Sequence, residues 1–182
     1  LAMDVEVVGD YAFVADGEAG LSVVNVESLD SPSWVTTVDT PGFAYRLSIA
    51  GTRAYIADQT GGVVVVDISS PAAPVVLDIV DTPAKAVDTF ATADHCYVAN
   101  LAGGVAVLDT SVPDSAEVVG SVAAGTGGKD VVVSGSYAYL ALGLGGVGIV
   151  DISDPEHPSP APVSLSIERG DALAIAAPYL YV

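Results

Sequence analysis

The amino-acid sequence predicts an all-β protein: a β-propeller of about four four-stranded antiparallel blades plus the first two strands of a fifth. Three observations carry that prediction. First, the phrase at residues 147–155 (Val-Gly-Ile-Val-Asp-Ile-Ser-Asp-Pro) recurs nearly unchanged at 63–71. It returns drifted at 105–113 and more distant at 21–29, each copy starting 42 residues after the one before. A fixed period of this length marks a repeat architecture. Second, apolar residues inside a unit alternate with a period of two, the signature of strands rather than helices. Third, Val, Ala, Thr and Gly are plentiful while the helix formers Lys, Gln and Met are scarce.

The second unit shows the elements in order. Residues 46–50 alternate as a first strand and stop at Gly51-Thr52. Residues 54–58 (Ala-Tyr-Ile-Ala-Asp) form a second strand, closed by Thr60-Gly61. The continuous apolar run at 63–68 suits a strand buried on both faces. Two prolines in residues 69–74 exclude further ladder hydrogen bonds and make a turn. Residues 75–80 are a fourth strand, and Asp81-Thr-Pro83 leads into the next unit. Aligned at 42 residues, Phe13, Tyr55, Tyr97, Tyr139 and Tyr181 share one column and Gly20, Gly62, Gly104 and Gly146 another. Asn25, Asp67, Asp109 and Asp151 form a third, and Pro32, Pro74 and Pro158 a fourth, with Ala116 in the third copy. The chain is thus one repeat region, residues 1–182, with units at 3–44, 45–86, 87–128 and 129–170 and a partial unit at 171–182.

A four-stranded meander cannot bury both faces alone; stacking meanders around an axis solves this. Forty-two residues lies within the roughly 40–45 of a propeller blade, whereas the rungs of a linear β-solenoid, the structural alternative, are shorter. Residues 3–8 and 11–16 read as strands one and two of a blade, and so do 171–175 and 179–182. Both ends supply the same half and cannot complete each other. The expectation is therefore a segment of a larger ring, or pairing with a second copy to cover exposed strand edges.

Twenty-three acidic residues against five basic ones give a net charge of −18. That balance excludes a nucleic-acid partner, which needs Lys and Arg clusters against phosphate, and disfavours an anionic membrane surface. With 51% hydrophobic residues the chain can bury a core, yet no apolar run nears the ~18 residues of a membrane helix. Cys96 stands where other units have Ala12, Ala54, Ala138 and Leu180, so it reads as a small buried hydrophobe rather than a nucleophile.

The copies at 63–71 and 147–155, preceded by Tyr-Ile-Ala-Asp58 or Tyr-Leu-Ala-Leu142, and Gly135-Ser-Tyr-Ala-Tyr139 resemble the LVIVD repeat across essentially the whole chain. The first copy departs most, with Asn25 for Asp and Leu29 for Pro; the third is loose too, with Asn100 for Asp and Ala116 for Pro. The resemblance implies a β-propeller in a bacterial or archaeal secreted or cell-surface protein, with no enzymatic activity.

In a propeller, the loops joining strands two and three, and strand four to the next strand one, open on one face. Asp16, Glu18, Asp58, Asn100, Leu142, Tyr45 and Lys85 belong to that face, and the inner-strand starts Asp4, Arg46, Asp88 and Asp130 ring the channel mouth. An Asp recurring at one position is most simply a turn or strand-end residue bonding backbone N–H groups. Residues that break the repeat are better ligand-binding candidates. These are Arg46, Lys129 and the Glu168-Arg169 pair, with Asp88 and Asp130 beside them. No catalytic residue and no cofactor is indicated; Ca²⁺ is the one ion the ring could take, through Asp4, Asp88 and Asp130. His95 and His157 fall at unrelated repeat positions. Gly143-Leu-Gly-Gly146 lacks the helix and Lys-Ser/Thr of a phosphate loop. Two functions remain: a non-catalytic module binding protein or glycan through the loop face, and a lactonase-like propeller hydrolase with a divalent metal in the channel. The uniform spacing leaves no inserted active-site loops and favours the first.

Overall fold

The computed structural model describes residues 1–112, 114–162, 165 and 167–182. Pro113, which ends the third copy of the repeated phrase, lies outside them. The described residues form strands, and no helix is long and apolar enough to cross a membrane.

Four antiparallel meanders follow one another in chain order. The first is β1 (Asp4–Val8), β2 (Tyr11–Ala15), β3 (Leu21–Asn25) and β4 (Ser33–Val38). The second is β5 (Arg46–Ala50), β6 (Arg53–Ala57), β7 (Val63–Asp67) and β8 (Val75–Val80). The third is β9 (Ala86–Ala91), β10 (His95–Asn100), β11 (Gly104–Asp109) and β12 (Glu117–Ala123). The fourth is β13 (Asp130–Ser134), β14 (Tyr137–Ala141), β15 (Val147–Asp151) and a short β16 (Ser159–Pro160). A two-stranded sheet, β17 (Ala174–Ala176) with β18 (Tyr179–Tyr181), follows. The chain is an all-β propeller arc with the first strand of each sheet innermost.

The period-two pattern acquires a direction in three dimensions. Ala54 packs back into the cluster shared with Phe13, Leu21 and Val23 of the first blade. Its neighbour Tyr55 packs forward with Cys96, Val98 and Leu108 of the third. Likewise Cys96 faces back, while Tyr97 packs forward against Val131, Ala138 and Leu140. The aromatic column is thus the forward knob of each blade, and the small-residue column receives the knob of the blade before. Val63–Val66 are all buried, as a central strand with both faces covered requires.

Three chemical details fix the turns. The side chains of Asp67, Asp109 and Asp151 accept hydrogen bonds from the N–H groups of Ser69, Ser111 and Ser153 at 2.8, 2.8 and 2.9 Å, and Asn25 does the same for Glu27 at 2.9 Å. At Gly20 and Gly62 the backbone is left-handed (φ +84° and +75°), and a Cβ would stand 2.2 Å from the carbonyl oxygens of Val38 and Val80, so only glycine fits. Third, Asp58 leaves β6 because its N–H bonds to Gly62 and its carboxylate is used in the loops.

Candidate functional site

The innermost strands begin on the channel, so their first residues face it. Each aspartate there serves first as a staple between blades. Asp4 Oδ2 accepts the Leu47 N–H at 3.1 Å, Asp88 Oδ2 the Val131 N–H at 2.9 Å, and Asp130 Oδ2 the Leu173 N–H at 2.6 Å. In every case the donor lies on the next blade, 43 residues further on. Asp4, Asp88 and Asp130 do not gather around an ion: among the described residues no three His, Cys, Asp or Glu side chains form a metal-holding group.

Arg46 replaces aspartate at this position and cannot accept such a bond. At its junction Ser48 Oγ and Thr89 Oγ1 bond at 2.9 Å instead, and Thr89 Oγ1 donates to the Tyr55 carbonyl at 3.0 Å. Freed from stapling, the guanidinium reaches past the third blade to Asp130, with Nη1 3.8 Å from Oδ1. Burial, with the neighbouring Asp130 carboxylate added, pushes the Asp88 carboxyl up to about 9, so it is protonated at neutral pH. Arg46, Asp88 and Asp130 therefore form one buried-to-half-buried cluster at the base of the mouth.

Above it opens a pocket of about 420 Å³, lined by Tyr45, Arg46, Gln59, Lys85, Val87, Leu101, Gly128, Lys129, Arg169 and Asp171. It takes residues from the second, third and fourth blades and from the segment that leads into β17. Four of the chain's five basic side chains are on its wall, with one carboxylate, Asp171. Lys129 Nζ lies 2.5 Å from Asp171 Oδ1, and Arg169 Nε pairs with Oδ2 of the same carboxylate. Hydrogen bonds from Lys129 and Arg169 hold the Asp171 carboxyl below its ordinary range. Lys85 makes no ion pair among the described residues. Arg53, the fifth basic residue, is away from the pocket and donates to the Thr110 carbonyl at 2.7 Å.

Among the sequence-predicted candidates, the structure brings Arg46, Lys129 and Arg169 to one pocket and sets Asp88 and Asp130 beneath it. Glu168 is exposed and does not line it. Asp58 faces inward rather than to the mouth: it is fully buried and accepts from Thr40 Oγ1 at 2.7 Å and the Gly42 N–H at 2.6 Å. Lys85 and Gln59 are two polar lining residues that were not among the candidates. Lys85 shares its repeat position with Leu1, Phe43, Gly127 and Arg169, so its charge breaks the repeat as Arg46 does. Gln59 stands where the first and fourth units have Gly17 and Gly143, and its backbone is left-handed, φ +50° against +60° and +57°. That conformation is uncommon outside glycine, and where it persists it often serves a site.

Fold and mouth together define a repeat β-propeller with a cationic pocket over its channel. The chain belongs to the LVIVD repeat family, whose model matches residues 1–40, 41–82 and 127–161. The first copy, though it departs in the turn, lies inside a match, while the internal unmatched stretch, 83–126, falls on the third unit and residues 162–182 are also outside the matches. No curated protein sequence matches the chain. Among solved structures, the periplasmic gluconolactonase PpgL of Pseudomonas aeruginosa superposes with a TM-score of 0.79 at 18% identity, over 93% of this chain and 55% of that one. A functionally unknown protein of Desulfotomaculum acetoxidans gives 0.65 at 18% identity, over 82% and 51%. Apo AztD of Citrobacter koseri gives 0.64 at 14% identity, over 93% and 48%. This chain spans about half the length of these proteins, and at such identities the likeness is one of fold.

Proposed function

We propose that this chain is a non-catalytic β-propeller repeat module, secreted or displayed at the cell surface, that binds protein or carbohydrate through its loop-rich face. The observation that carries this reading is the gathering of repeat-breaking side chains, Arg46, Lys85, Lys129 and Arg169, around one open pocket. The channel carboxylates beneath are already engaged by backbone N–H groups and Arg46, which suits stapling better than turnover. The binding reading requires no cofactor, and calorimetric titration with Ca²⁺ tests whether the acidic ring takes one.

The proposed partners also include further blades, from the same chain or a second copy. Leu47, Val131 and Leu173 pack against the blade before them, while Val5 at the same repeat position is 54% exposed on β1.

The reading is tested by binding the intact chain to arrays of glycans and extracellular proteins, beside a variant carrying Lys85→Glu and Lys129→Glu. Binding by the wild type that the variant loses supports it. A folded wild type that binds nothing on either array overturns it. The likeness in fold to a gluconolactonase favours one competing reading, the lactonase-like hydrolase with a divalent metal in the channel. Hydrolysis of gluconolactone above the buffer rate, with or without added divalent ions, would replace the binding reading with that one.

A further inference from the structure

Resting on the binding reading, we infer that the channel-mouth pocket is a receptor for a small carboxylate-bearing sugar, an acidic monosaccharide or the acidic end of a glycan. Three independent features point to this class. The first is electrostatic. In a chain of net charge −18, four of five basic side chains face one pocket that holds a single carboxylate on its wall. None of the four is imposed by the repeat. Arg46 stands against Asp4, Asp88 and Asp130; Lys129 against Met3, Tyr45, Val87 and Asp171; Lys85 and Arg169 against Leu1, Phe43 and Gly127. A cationic focus inside an acidic surface draws anions to that point and repels them elsewhere.

The second feature is occupancy. Asp171 lies across Lys129 and Arg169 as a ligand carboxylate would, and it is held by side-chain contacts at an exposed site. A carboxylate bridging an ammonium and a guanidinium is thus already displayed on this wall, and Lys85 has no carboxylate partner among the described residues. A bound acid would take Lys85 and compete with Asp171 for the other two.

The third feature is the remainder of the wall. Tyr45, Val87 and Leu101 supply apolar and aromatic surface, and the Gln59 amide supplies both a donor and an acceptor for hydroxyl groups. The volume, about 420 Å³, lies within the range of small-ligand sites. Inorganic anions would use the cations and the amide N–H groups but not the apolar wall.

Titration calorimetry on the intact chain, with glucuronate, galacturonate, glucose and inorganic phosphate as probes, tests the inference at low and high salt. A hexuronate is expected to bind more tightly than glucose and than phosphate, and more weakly as salt rises. Lys85→Ala should weaken hexuronate binding roughly fivefold to tenfold, the effect of one partly exposed charge. Asp171→Asn should strengthen it by a similar factor, a gain that a purely structural Asp171 would not produce. Gln59→Gly, which places at this position the residue found at 17 and 143, should fold at least as stably yet bind less tightly. Equal binding of glucose and hexuronate, or tighter binding of phosphate, overturns the acidic-sugar assignment. If neutral glycans or a protein bind the face while hexuronates do not, this inference fails and the binding reading stands. If nothing binds, both fail.

Discussion

At the scale of single residues, positions that depart from their repeat column carry most of the information. Asn100 occupies the site of Asp58, where a carboxylate accepts a threonine hydroxyl and a backbone N–H. In the third blade Thr82 instead donates to the Ala84 carbonyl at 2.7 Å, and Asn100 Oδ1 is buried with no partner. A buried orphan acceptor costs about 1–3 kcal/mol, whereas an apolar group of similar shape costs nothing. The fourth blade already uses buried Leu142 there. Asn100→Leu should therefore stabilise the fold by about 1 kcal/mol, seen as a higher urea midpoint at unchanged slope; a lower midpoint would show that the amide is satisfied after all. Asp88 supplies the second residue-scale prediction. Its carboxyl is pushed up to about 9 in the fold, chiefly by burial and then by Asp130, against about 4 in an unfolded chain. The native state thus holds an extra proton between those values. Its contribution is complete below pH 4 and is lost as pH rises towards 9, at up to ~1.4 kcal/mol per pH unit. Asp88→Asn keeps an oxygen for the Val131 N–H and removes the titration. Denaturation between pH 5 and pH 9 should show the wild type losing stability faster than the variant, and parallel curves would refute a protonated Asp88 in the folded chain.

At the scale of elements, alternation and turn residues made the strands legible because one strand face meets the blade before and the other the blade after. The fourfold meander and the forward-facing tyrosine column follow from that alone. What stayed hidden is a β-bulge in the pairing of the third and fourth strands, at Val23/Val24, Val65/Val66 and Val107/Leu108. Its extra residues, Val35, Leu77 and Val119, each pack on a blade-to-blade cluster. An added residue preserves the local apolar pattern on one side and breaks it on the other, so period counting reads straight through it. Half of the site was legible by the same logic: Arg46, Lys129 and Arg169 break their columns with a charge. Gln59 was not, since its meaning lies in a left-handed backbone that only a comparison with Gly17 and Gly143 exposes. The third-strand turn gives the prediction at this scale. Asp67 accepts the Ser69 N–H, an arrangement Asn25 reproduces in the first unit with an amide oxygen. Asp67→Asn should therefore melt close to the wild type, while Asp67→Ala, which has no acceptor, should melt lower. Equal melting of all three would mean that the prolines and packing hold the turn without it.

At the scale of the whole molecule, stability is a sum over blade-to-blade layers, as in any repeat protein. Those layers are unequal. The junctions between the first and second, second and third, and third and fourth blades each bury a large apolar set. Among the described residues, the layer under β17 and β18 buries Ala141, Val147 and Leu173, with Val132, Tyr139 and Leu180 partly buried. A two-stranded sheet is marginal without such support, and here Tyr179 and Tyr181 stand 65% and 56% exposed. The Asp130–Leu173 staple and the contacts of Asp171 with Lys129 and Arg169 are polar reinforcements of that weak layer. At the other end β1 is half open, with Val7 61% exposed, whereas β7 and β11 are enclosed by a blade on each side. Local opening should follow this gradient. Amide exchange read by mass spectrometry should be slowest in β6, β7, β10 and β11 and faster in β1. It should be fastest in β17 and β18, by about a hundredfold or more over the central strands. A ligand bridging Lys85, Lys129 and Arg169 ties the last segment to the third and fourth blades, so its binding should slow exchange in β17 without touching β1. Uniform protection along the chain would mean that the layers fold as one unit and that the mouth pocket sits on a rigid rim rather than across its weakest junction.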